Sequence, residues 1–169
     1  RHASVEEQAK QFISMYADYV KATRGLFDFY VTFDWRRHCS TIYKATKELQ
    51  ELGIKPVPVY HGDSDISLFK RYADAGHKIM GLGISLVGKN SRKDVRFYYD
   101  LVFTCAARYN IKLHGFAVTG PIAFQYPFWS VDSTTWLKAA AYGKLVTTAP
   151  SRRRLALVHI STVTAGSSG

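Results

Sequence analysis

From residue 27 to residue 143 short apolar runs, rich in aromatic and β-branched side chains, alternate with stretches of helical periodicity. That rhythm constrains the fold more than any single motif. Strands separated by helices pair in parallel, and the helices become crossovers that cover the sheet. The strand-like runs are FDFYVTFD (27–34), KPVPVYH (55–61), KIMGLGISL (78–86), IKLHGFAVTG (111–120) and FWSVDS (128–133). Pro56 and Pro58 keep the second run out of a helix. Phe128, Trp129 and Val131 make the last one read as a buried strand.

Helices are expected over 4–24, 40–52, 66–76, 91–110 and 134–143, with one helical turn in the connector 121–127. In the first, Phe12, Ile13, Tyr16, Tyr19 and Val20 recur at helical spacing, and Ser4 with Glu7 forms a capping box. Gly53, Gly76 and Gly143 are stop signals. Phe97, Tyr98, Tyr99 and Phe103 recur at helical spacing and read as core. Five β–α steps result. A closed (β/α) barrel needs ~250 residues, and this chain has 169. The expected fold is therefore α/β, parallel β/α repeats in a partial or truncated TIM-type barrel. An open doubly wound sheet is the alternative.

The expected organisation is one barrel-like domain over 1–148, lacking the first strands, followed by a basic, partly disordered tail over 149–169. In that tail Arg152, Arg153 and Arg154 cluster, LALVHISTV could form one more strand, and AGSSG reads as disordered. The chain starts at Arg1, which reads as a processed product or a fragment. Hydrophobic residues make up 47%, too many for a disordered chain. Lysine and arginine exceed the acids by 23 to 13, a formal charge of +10, which favours a polyanionic partner. Two cysteines in unrelated contexts, Cys39 and Cys105, make neither a disulfide framework nor a zinc pattern. No apolar run approaches the ~18 residues of a membrane span. A cytoplasmic location is expected, the host's if the chain is phage-encoded.

In parallel α/β folds, functional groups gather at the carboxyl ends of strands. Those ends carry Asp34, then His61, Gly62 and Asp63, then Gly81, Gly83 and Ser85, then Val118 to Gly120, and finally Asp132 with Ser133. Each has a plainer reading. Asp34 could pair with Arg36 or Arg37, His61 could be packed, and the glycines could serve close packing. Asp132 could be an N-cap for the helix that follows. Lys89, Arg92, Lys93 and Arg96 read as a solvated helix start that could also contact phosphates. GLGIS lacks the full dinucleotide fingerprint, and no Walker loop, zinc hydrolase motif, nucleophile elbow or Cys–His pair occurs.

KLHGFAVTGPIAFQYPFWSVDSTTW (112–136) resembles the nucleophile segment of the tRNA-guanine transglycosylase superfamily. It is most similar to the DpdA-like 7-deazaguanine DNA transglycosylases, in which a YP-aromatic-SVDST-aromatic run is typical. FYVTFD, VPVYHGD and GLGISLVGK follow the same order as the family's base-reading strands, so the likeness spans roughly residues 27–143. The resemblance implies a pentosyltransferase that exchanges guanine for a 7-deazaguanine through a covalent intermediate on Asp132. It implies base contacts at Asp34, His61, Gly62, Gly81, Gly83 and Ser85, and nucleic acid as partner, DNA rather than tRNA. Two family features have no counterpart: the acid/base aspartate of an earlier strand, and the Cys₃His zinc site after the nucleophile. No cofactor is therefore expected, and a homo-oligomer or partner chain could complete the fold. Two other functions stay open, a non-catalytic nucleic-acid-binding remnant and an unrelated barrel enzyme that binds phosphorylated metabolites at Gly81–Ser85.

Overall fold

The computed structural model describes residues 4–32, 38–62, 64–83, 92–149 and 154–159. Its first element is α1, Val5–Ala22. Ser4 caps it as expected: its hydroxyl accepts the Glu7 N–H at 3.2 Å, and the Glu7 carboxylate accepts the Ser4 N–H at 2.7 Å. One face of α1 buries Ile13, Ala17 and Val20 against Ala45 and Leu49 of α2, Cys39–Glu51, and against Ile54. Two tyrosines tie the following segment to this helix pair. Tyr16 donates to the Val31 carbonyl at 2.8 Å, and Tyr30 donates to the Thr23 carbonyl at 2.6 Å.

Of the run expected as a strand over 27–34, the described residues pair through one parallel bridge, Val31 with Val57. The Ile54 N–H is taken by the Leu49 carbonyl as the chain leaves α2, so no extended partner precedes Lys55. The end of the run lies outside the described residues. The second run yields β1, Val59–His61. Its ladder to the next strand begins only after Pro58, which accepts the Gly81 N–H but has none to give.

Then come α3, Ile66–Asp74; β2, Ile79–Gly83; α4, Arg92–Tyr109; β3, Lys112–Phe116; α5, Ile122–Gln125; β4, Ser130–Val131; and α6, Thr135–Ala141. The helices α2, α3 and α6 stop where expected, at Gly53, Gly76 and Gly143, each with a left-handed φ of 77°, 86° and 66°. The four strands are parallel and ordered β1-β2-β3-β4. Each strand neighbours its predecessor, the order of a barrel sector. A doubly wound sheet would reverse direction along the order, and these four strands do not.

The chain divides into two compact units, residues 1–112 and 113–169. In the first, Phe69, Met80, Leu82 and Val102 are wholly buried. Burial of a side chain of this kind is worth about 1.5–3 kcal/mol. Tyr99 and Phe103 belong to this core as expected, but Phe97 does not and is 72% exposed. The buried stripe of α4 runs through Tyr99, Val102, Phe103 and Ala106. Phe97 stands about 200° around the helix from Tyr99.

In the second unit the run LALVHISTV supplies the strand it could form, and it finds a partner that the expected tail did not include. Strand β5, Lys144–Ala149, pairs antiparallel with β6, Arg154–His159, and β5 packs against α6. Strands β5 and β6 thus fall in the same unit as β4 and α6. The terminal AGSSG lies outside the described residues. The last run is also less buried than expected: Trp129 and Val131 are 44% and 41% exposed. Strand β4 is two residues long and ends the strand order, so among the described residues β3 alone flanks it.

Candidate functional site

In the second unit the register of β3 and β4 sets His114 opposite Ser130 and Gly115 opposite Val131. Side chains alternate along a strand, so His114 and Phe116 share a face with Ser130 and Asp132. His114 Nδ1 lies 2.8 Å from Ser130 Oγ. Its Nε2 lies 3.6 Å from Asp132 Oδ2. The Phe116 ring packs edge-on against the imidazole, with centroids 4.7 Å apart.

Asp132 sits just past the end of β4, where its own N–H donates to the Gly115 carbonyl at 3.0 Å. Its Oδ1 accepts the Ala117 N–H at 2.6 Å. Ala117 reaches that position with φ 55°, a left-handed conformation uncommon for alanine. The tight turn depends on Gly115: a Cβ there would lie 2.6 Å from Val118 and 2.8 Å from Phe128. The carboxylate does not cap α6. The α6 N-cap is Thr134, without a side-chain bond, and Ser133 Oγ accepts the Thr135 N–H at 3.0 Å. Asp132 instead stays 55% exposed, beside a 23% exposed His114. With Phe116, Ala117, Val131, Ser133 and Thr134 it lines an open pocket of about 660 Å³, within the size range of small-molecule sites.

No family model matches the chain. No curated protein and no solved structure matches it.

The other expected site residues fall in the first unit. His61 ends β1 and is 6% exposed. Its Nδ1 lies 3.1 Å from the Gly83 carbonyl, which also accepts the Gly62 N–H at 3.4 Å. A Cβ on Gly83 would lie 2.6 Å from the imidazole, so the bare glycine makes room for it. Gly81 pairs with Val59 inside the ladder, its N–H donating to the Pro58 carbonyl. Gly62 lies under the ring of Tyr98, 3.0 Å from where its Cβ would stand. Arg96 is exposed on α4, which Arg92 and Lys93 begin. Asp34, Ser85 and Lys89 lie outside the described residues.

The structure thus gathers His61, Gly62 and Gly83 in one unit, and Asp132 with two residues absent from the expected set, His114 and Ser130, in the other. The signal for those two was the spacing itself: HGF in one strand and SVD in the next each put two polar or aromatic groups on one face. Among the described residues no three His, Cys, Asp or Glu side chains cluster to hold a metal ion, and no helix is long and apolar enough to cross a membrane.

Proposed function

We propose that the protein is a nucleic-acid base-exchange transglycosylase with Asp132 as its nucleophile and DNA as its substrate. The observation that carries this reading is the carboxylate itself. Asp132 closes an aromatic strand, is fixed through one oxygen by the Ala117 N–H, and lines an open pocket without serving as a helix cap. An ionised carboxylate so presented is a competent nucleophile at an oxocarbenium-like carbon. Oδ2 would attack C1′ of a nucleotide, guanine would leave, and a 7-deazaguanine would take its place on the sugar. As the ester reopens, negative charge returns to the carboxylate, where the Ala117 N–H meets it. The target base must leave the stack to be reached, and the net charge of +10 favours the polyanion that carries it. Base contacts at Asp34, His61, Gly62, Gly81, Gly83 and Ser85, and phosphate contacts at Lys89, Arg92, Lys93 and Arg96, belong to the same proposal.

The test is release of labelled guanine from DNA in the presence of a free 7-deazaguanine. Wild-type protein should release label and incorporate the new base; Asp132→Asn should do neither. Full exchange by Asp132→Asn would remove Asp132 from the chemistry.

A further inference from the structure

Resting on that reading, we infer that His114 is the acid and base of the exchange, held for the task by Ser130. A carboxylate nucleophile cannot by itself release guanine, because the departing base carries off the electron pair of the C1′–N9 bond and needs a proton. Among the described residues the ionisable group facing Asp132 is His114, and the groups facing His114 are Asp132 and Ser130. When Nδ1–H donates to Ser130 Oγ at 2.8 Å, the proton that comes and goes is the one on Nε2. That nitrogen points at Asp132 Oδ2 from 3.6 Å, beyond direct hydrogen-bond range. At that distance the two groups form an ion pair whenever the histidine is protonated, which holds Nε2 beside the attacking oxygen. A histidine oriented through its second nitrogen is the usual arrangement for directed proton transfer. The order differs from a hydrolase triad, in which the serine is the reacting group and the carboxylate the orienter. Here the serine lies inward on the strand and the carboxylate is the exposed member.

The steps balance. In the first half-reaction the Oδ2–C1′ bond forms, the C1′–N9 bond breaks with its pair going to guanine, and the Nε2 proton neutralises the departing base. In the second, the 7-deazaguanine N9 bonds to C1′ and gives its proton to Nε2. The Oδ2–C1′ pair returns to Asp132, and the histidine ends as it began. Phe116, edge-on to the imidazole and in the pocket wall, gives a flat base an apolar face to slide against.

The experiment compares two oligonucleotides, one with guanine and one with N7-methylguanine at the same position. The methylated base already carries the positive charge and leaves without a proton. Covalent adduct formation by the full chain is followed on denaturing gels. His114→Ala should slow the guanine reaction about 100-fold or more, and leave the N7-methylguanine reaction within a few-fold of wild type. Added imidazole should restore part of the guanine reaction. Ser130→Ala should show the same selectivity at smaller amplitude. Equal loss on both substrates, or loss on neither, would overturn the acid–base role, and retained reactivity on the methylated base shows that the variant is folded. Absence of any wild-type adduct on both substrates would overturn the base-exchange reading itself, and the inference with it.

Discussion

A carboxylate just ahead of a helix ordinarily accepts that helix's first free N–H groups. Asp132 is in that sequence position and does something else, because the left-handed turn at Ala117 aims an N–H at it from across the strand pair. Backbone strain of this kind concentrates at functional sites. A left-handed alanine costs about 1–2 kcal/mol, so Ala117→Gly should stabilise the fold by roughly 1 kcal/mol after the added freedom of the unfolded chain is counted. A urea midpoint that falls in this variant would contradict the strain. Gly115→Ala should do the opposite: its methyl would meet Val118 and Phe128 at 2.6 and 2.8 Å, an overpacking worth about 1–3 kcal/mol. Asp132 itself was legible in the sequence, since it ends an aromatic run. For His114 the HGF and SVD spacings gave a hint, but its partners lie 16 and 18 residues away and the register that joins them comes from strand pairing.

Helices were the legible elements. Their stops at Gly53, Gly76 and Gly143 and the capping box at Ser4 depend on chemistry within a few residues of each end. Ser4→Ala should therefore lower stability by about 1 kcal/mol in thermal unfolding. The cap of α3 is subject to pH. Asp65 accepts the Ser67 N–H at 2.6 Å, and its backbone and side-chain hydrogen bonds to Ser67 hold the carboxyl below its ordinary pKa. With the folded value below the unfolded one, this contribution is full above the unfolded pKa and is lost as pH falls through the folded pKa. The stability advantage of wild type over Asp65→Asn should shrink on acidification, and a gap independent of pH would contradict it. Strand extents were less legible. The run over 27–34 has ideal strand composition, yet its described residues pair through one bridge because their neighbour is still leaving α2. Strand β6 lies in the run LALVHISTV, legible as one more strand, whereas its hairpin partner β5 was not foreseen.

At the scale of the molecule, the proposal joins parallel strands, whose carboxyl ends carry the candidate groups, to a positive charge that would favour a polyanion. Binding to DNA should weaken steeply with salt, the logarithm of the affinity falling linearly with the logarithm of salt concentration. Asp132→Asn should leave that slope unchanged, since the carboxylate acts on the sugar and not on the phosphates. A slope near zero would remove nucleic acid as the partner. The β–α order was legible, because it follows from alternation; the sequential winding was one of two readings that alternation allows, and the strand pairing decided it. The most direct measurement is a denaturing gel of the full chain incubated with guanine-containing DNA, wild type beside Asp132→Asn. The account predicts a protein–DNA band that survives denaturation in the wild type and is missing from the variant. A band of equal strength in both, or none in a wild type that still binds DNA natively, would contradict it.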